Sequence, residues 1–179
     1  MAILPIIEAP HPLLSKAARV VADHEFTDDL RRLLTDMAET MYAAPGVGLA
    51  GPQVSDSRRI LVADPGNQED EHGIKRPNLF AMINPEIVDR SPAQTVYEES
   101  CLSVPGFYID IKRPQRIQVR WRDGHGEIEE AWFDGFSATV IQHEMDHLDG
   151  ITLLDRASRF RRSRYVTRQK KRIARQASK

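Results

Sequence analysis

Two histidines four residues apart, His143 and His147, enclose Glu144 in the stretch ATVIQHEMDHLDG at positions 138–150. Residues four apart on a helix share one face, so both imidazoles can reach a single metal ion. Glu144 would then stand beside that ion rather than bind it. From there it can reach a water on the ion. The ion lowers the pKa of that water, and a carboxylate takes its proton and later returns it. The pattern predicts metal-assisted hydrolysis. Two core histidines with ordinary hydrogen-bond partners are the plainer alternative.

A site of this kind needs a third protein ligand, and no histidine and no glutamate follow the motif. Gly150 falls where a longer three-histidine version of the motif places a glycine, but that version's last histidine position is Leu153 here. Asp149 and Asp155 remain open as ligands, though both are poorly spaced. Cys101, the single cysteine of the chain, is the better candidate. A thiolate with two imidazoles leaves a fourth tetrahedral position for water. A lone cysteine is otherwise most often a small buried hydrophobe.

The elements that must hold these residues are legible from periodicity. Leu30, Leu33, Leu34, Met37 and Met41 recur at helical spacing after Thr27, which predicts an amphipathic helix over 28–43 with Thr27 as its N-cap. PGVGLAGPQ at 45–53 is too rich in glycine and proline for regular helix and predicts an irregular strand or turn. Strands are expected at 58–64, 80–89 and 95–100, and a polar loop at 65–78. Alternation of Ile117, Val119 and Trp121 predicts a hairpin over 116–133 that turns at 123–126. Ser137 is expected to cap the motif helix, which runs to Leu148 with Gly150 just past its end. Val140, Ile141, Met145 and Leu148 surround that helix on more than one side, so it should be buried. The sum is an α+β fold: short antiparallel sheets around a central metal-binding helix, one packing helix near the N-terminus, and a basic C-terminal tail expected to be helical.

The chain has 179 residues and a net charge of −1, with the length of one domain. Eleven of its 25 basic residues, and none of its 26 acidic ones, lie after Asp155. Residues 1–155 therefore carry about −12 and the tail about +11. Such a tail suggests a polyanionic partner such as RNA; a solvated, frayed terminus is the bland reading. A division into a catalytic metallohydrolase domain at 1–158 and a basic extension at 159–179 is expected. No apolar run approaches the ~20 residues needed to cross a bilayer, so no membrane partner is expected. The start, MAILPIIEAPHPLL, does not read as a secretory signal. One cysteine excludes an internal disulfide and suits the cytosol.

Three segments together resemble the peptide deformylases, whose members carry GxGLAAxQ, EGCLS and QHExDHL in that order. This chain has GVGLAGPQ at 46–53, ESCLS at 99–103 and QHEMDHL at 142–148, and the similarity runs to about residue 156. The resemblance implies hydrolysis of the N-formyl group of N-formylmethionine peptides, with release of formate. It implies Cys101, His143 and His147 as ligands of one divalent ion, Fe2+ foremost, with Zn2+, Ni2+ or Co2+ able to take its place. Glu144 would be the general base and then the acid. Gln53 and the backbone N–H of Leu102 would form the oxyanion hole. Gly46, Val47, Gly48, Glu99 and Ser100 would bind the peptide, and Phe136, Thr139 and Val140 would wall a pocket for the methionine side chain. It also suggests ribosome or rRNA docking by the tail.

Two departures from the family pattern stand out. Gly51 replaces the usual second alanine and is expected to loosen the segment that positions Gln53. Ser100 replaces the usual glycine before the cysteine. Alternative readings are a zinc endopeptidase or amidase of another kind, and a non-catalytic relative that binds ribosomes or nascent chains. The missing downstream ligand weighs against the first. The intact set Gln53, Cys101, His143, Glu144 and His147 weighs against the second.

Overall fold

The computed structural model describes residues 2–67 and 77–177. The central part of the expected polar loop, 68–76, lies outside the described residues; Pro65–Asn67 before it form a single 3-10 turn. Helix α1 (Asp28–Ala43) has the predicted limits. Thr27 holds the N-cap position with extended backbone, but its hydroxyl makes no capping hydrogen bond. Strands β1 (Gly48–Ala50) and β2 (Ile60–Ala63) flank a 3-10 helix at Gly51–Val54. Strands β3 (Phe80–Arg90) and β4 (Gln94–Glu99) follow, then β5 (Ile109–Pro114). The hairpin of β6 (Arg116–Arg122) and β7 (Ile128–Asp134) leads into α2 (Gly135–Leu148). A short α3 (Leu153–Arg156) and the basic α4 (Arg159–Ala177) end the chain.

One antiparallel sheet has the order β1-β2-β3-β6-β7, and β4 and β5 form a second, two-stranded sheet. Strand side chains alternate between faces, and here both faces of the larger sheet are covered. Leu49, Ile60, Val62 and Ile83 pack with Leu30, Leu34, Met37 and Met41 of α1. Ala50, Leu61, Ala63, Ile117 and Val119 pack on the other side with Val140, Ile141, Met145 and Leu148 of α2. That is why β2 reads as an unbroken apolar run, ILVA, rather than an alternating one. Each fully buried Leu, Ile, Val or Met side chain contributes roughly 1.5–3 kcal/mol. A third cluster, with Cys101, Val104, Phe107, Ile111, Leu153 and Tyr165, joins the smaller sheet to the C-terminal helices.

The helix carrying the metal motif starts three residues before the expected position. Asp134 is its N-cap and Ser137 lies inside the first turn. Gly135, at φ +55°, turns the chain directly off β7 into the helix, a backbone conformation that favours glycine. The far end is as predicted, with Gly150 at φ +74°. The strand expected at 58–64 is shorter, because Arg58 and Arg59 leave the sheet to meet Arg19. Strand β5 was not anticipated. Its inward positions are Ile109, Ile111 and Arg113, so the alternation ends on a buried charge that hides the pattern.

Gly51 does not loosen its segment. A Cβ there would stand 2.9 Å from the Arg58 carbonyl oxygen, 2.9 Å from Ile60 Cγ1 and 3.1 Å from the Asp56 carbonyl oxygen. The Asp56 N–H also donates to the Gly51 carbonyl at 2.9 Å. The segment is closed tightly on itself. Gly51→Ala is therefore expected to destabilise the fold by roughly 1–3 kcal/mol through overpacking, read as a lower Tm in a circular-dichroism melt. An unchanged or raised Tm would show that the 56–60 segment yields freely.

Candidate metal centre

α2 lies in the interior, so its polar residues are buried with it. His143, Glu144 and His147 are all less than a tenth exposed. Cys101 reaches them from the loop after β4. The ligand atoms of Cys101, His143 and His147 lie within 4.8 Å of one another, and Cys101 Sγ stands 3.2 Å from His147 Nε2. Bonds of roughly 2.0–2.3 Å to an ion would set such donors about 3.5 Å apart, so one ion fits with small side-chain adjustments. The open question of the third ligand closes on Cys101. Asp149 instead pairs with Arg59, and Asp155 caps Thr152 and pairs with Arg162.

The surroundings perturb the two histidines of the centre in opposite directions. Glu99 Oε2 is 2.7 Å from His143 Nδ1, which leaves Nε2 as the donor atom for a metal. Burial would push the Glu99 carboxyl up, but hydrogen bonds from His143 and Arg113 and the Arg113 charge hold it below the usual range. Burial works against charge on His143, yet its hydrogen bonds to Cys101 and Glu99 hold its pKa well above the ordinary value. Burial, with His143 and Arg113 nearby, holds His147 well below the ordinary value. A neutral imidazole is the form that ligates.

Glu144 is pushed up to about 7, chiefly by burial. Its Oε2 makes no hydrogen bond among the described residues. A buried carboxylate oxygen without a partner is costly, and here it belongs to a residue that lines a cavity of about 330 Å³. A water delivered to the metal site would satisfy it. The backbone of β1 runs against the same side chain: a Cβ on Gly48 would stand 2.3 Å from Glu144 Oε1. Only glycine admits that approach.

Gln53 is anchored at one end and presented at the other. Its Oε1 accepts from the Ala50 N–H at 2.7 Å, and its Nε2 lies 3.2 Å from Ser103 Oγ and 3.6 Å from Cys101 Sγ. The amide N–H2 is thus aimed at the thiol side of the cavity. The Leu102 N–H makes no hydrogen bond among the described residues.

The cavity gathers every residue that sequence reasoning placed there except His147, which stands 3.2 Å from the thiol but is not among the lining residues. Gly46, Val47, Gly48, Gln53, Glu99, Ser100, Cys101, Leu102, His143 and Glu144 all line it, as do Phe136, Thr139 and Val140. Glu99 touches the cavity, but its carboxylate is committed to His143 and Arg113. Tyr97 was missed; it lines the cavity and meets Phe136 edge-on at 5.8 Å. Arg113 and Asp146 were missed as well. Their signals were a charged residue in an inward strand position and an aspartate inside the metal motif.

Cys101→Ser is expected to weaken Co2+ binding, measured by chelator competition, by more than the roughly 10–100-fold typical of losing an outer partner. It should also abolish the thiolate-to-cobalt absorption. Retention of that band would remove Cys101 from the ligand set.

Comparison with known proteins identifies the family. The family described as "Polypeptide deformylase" matches residues 3–163. A peptide deformylase of Rhizorhabdus wittichii is 46% identical over 181 residues, covering 99% of this chain and 100% of that protein. A peptide deformylase of Zymomonas mobilis is 45% identical over 162 residues, covering 90% of each. Among solved structures, the Ehrlichia chaffeensis peptide deformylase in complex with actinonin superposes with a TM-score of 0.87 at 38% identity. It covers 96% of this chain and 98% of that one.

Proposed function

The chain belongs to the peptide deformylase family, and from that premise we propose how its residues divide the work of the reaction. The reaction is the metal-dependent hydrolysis of the N-formyl group from N-formylmethionine at the start of a new polypeptide, with release of formate. One observation carries the assignment of roles. Three ligand atoms lie within 4.8 Å of one another, and Cys101 and His143 line one cavity with Glu144, whose buried Oε2 has no partner among the described residues.

Cys101, His143 and His147 would hold a divalent ion, which would supply Lewis acidity towards a water and the formyl carbonyl. Glu144 takes the proton from the attacking water as oxygen joins the formyl carbon. The formyl oxygen gains charge as that carbon becomes tetrahedral. Gln53 Nε2 and the Leu102 N–H donate to it, and a fixed pair of donors needs little reorganisation. Glu144 then passes its proton to the leaving amine as the C–N bond breaks, and formate departs. Burial raises Glu144 towards about 7, a value suited to both taking and giving a proton, while a bound cation draws it back down.

The substrate lies along Gly46, Val47 and Gly48 on one side and Glu99 and Ser100 on the other, all cavity-lining. Phe136, Thr139 and Val140 offer an apolar wall for the methionine side chain. Fe2+ is the ion we favour, on the family resemblance; a Cys/His2 set by its softness also suits Zn2+, and Ni2+ or Co2+ can be held. The catalytic part is residues 1–158 and the basic extension 159–179. Among the described residues no helix is long and apolar enough to cross a membrane. New polypeptides place the enzyme's work in the cytoplasm.

The extension is proposed to dock on ribosomal RNA. Arg159, Arg164, Lys170 and Lys171 are exposed on α4, and phosphate contacts by such residues are salt-dependent. Tyr165 of the same helix is buried against Phe107, so deleting α4 would strip cover from the body of the protein. Replacing the four exposed residues together with glutamine is the cleaner test. Ribosome co-sedimentation at low salt should fall sharply; unchanged co-sedimentation would end the docking proposal.

Protein purified without oxygen and supplied with Fe2+ is expected to release formate from formyl-Met-Ala-Ser and nothing from acetyl-Met-Ala-Ser. Glu144→Ala should lower the rate by about 10²–10⁴-fold. Formate release at the normal rate by the variant would remove Glu144 from its role.

A further inference from the structure

The three metal ligands come from two separate elements. Cys101 sits two residues beyond the end of β4, and both histidines stand on α2. At the motif one direct bond joins β4 to α2, Glu99 Oε2 against His143 Nδ1 at 2.7 Å. Between them lies Arg113 of β5, the one buried lysine or arginine among the described residues. Its Nε donates to Glu99 Oε1 at 2.6 Å and an Nη donates to Glu99 Oε2 at 3.0 Å. The same guanidinium reaches Asp146 Oδ2 at 2.9 Å. Glu99 is the last residue of β4, and Asp146 lies between the two histidines on α2.

We infer that Arg113 is a positioning residue of the metal centre, fastening the end of β4 to α2 and fixing the Glu99 carboxylate that orients His143. The inference rests on the metal-centre reading above. An isolated guanidinium is costly to bury, and the cost is offset only when its carboxylate partners are well placed. Here the two partners stand on the two elements that must be held in register. Glu99 Oε2 accepts from both His143 and Arg113, so a shift of the guanidinium is passed directly to the imidazole. Asp146 is held from its other oxygen by Arg156 at 2.6 Å, which closes the chain of alternating charges at the surface. A planar guanidinium holds Glu99 by two bonds in a fixed fork while reaching Asp146; an ammonium, a point charge with freely rotating donors, sets no such geometry.

The test is Co2+ binding to Arg113→Lys, with affinity taken from chelator competition, the thiolate-to-cobalt absorption from spectroscopy and folding from circular dichroism. The expected result is a folded protein with affinity lowered about 10–100-fold and a weakened or shifted thiolate band. Arg120→Ala, which removes an exposed partner of Glu130 on β6, should stay within about twofold of the parent. Wild-type affinity and band in Arg113→Lys would overturn the inference, as would a loss that vanishes once only the folded fraction is counted. If Arg113→Lys does not fold, Asp146→Asn releases one arm alone: lowered affinity with an altered band then supports the inference, and wild-type values overturn it. A parent protein that binds Co2+ without a thiolate band would instead overturn the metal-centre reading itself.

Discussion

Burying ionisable side chains on an interior helix is the constraint from which the other features follow. α2 cannot turn its polar residues outward, because Val140, Ile141 and Leu148 are buried on its remaining sides. His143, Glu144 and His147 therefore enter the core, where each polar atom needs a partner. Glu99 serves one nitrogen of His143, and Cys101 faces His147. Glu144 Oε2 and His147 Nδ1 have no partner among the described residues. The first of these belongs to the residue asked to accept a proton. Glu144 also lines the cavity.

The two sheets are best understood by what each brings to that helix. The larger one presses β1 so close that Gly48 leaves no room for a Cβ beside Glu144. That contact fixes the carboxylate from one side while the cavity leaves the other open. The smaller sheet delivers Cys101 and Glu99 from the end of β4. Gln53 comes from the 3-10 turn after β1, tied by its own amide oxygen to Ala50. Each contributor is held by backbone close to a regular element, so little motion is needed to assemble the site.

Much of this was legible beforehand, for physical reasons that differ by element. α1 and the β6–β7 hairpin each bury one face, so period 3.6 or period 2 was visible in their apolar residues. β2 is covered on both faces and gave only a short apolar run. β5 escaped because its inward series ends on Arg113, and a rule that reads buried positions from hydrophobicity must fail at a buried charge. Ser137 reads as a cap, but Gly135, through its freedom at positive φ, starts the helix three residues sooner. The ligands were legible because metal chemistry restricts residue type and spacing together. The partners of those ligands were not, because a glutamate or arginine in a strand carries no such spacing; Glu99 was placed at the substrate and holds His143 as well.

Gly51 carries a consequence for how this sequence can change. The motif that this segment resembles has alanine there, yet here the space for that methyl group is filled by the backbone at Arg58 and the side chain of Ile60. Position 51 and the 56–60 turn therefore form one unit of variation. Alanine becomes acceptable only in a background where that turn has already moved outward, and once it is present the inward arrangement is closed in its turn. The two states are separate solutions to the same packing problem, and the order of substitutions along a lineage determines which of them it can reach.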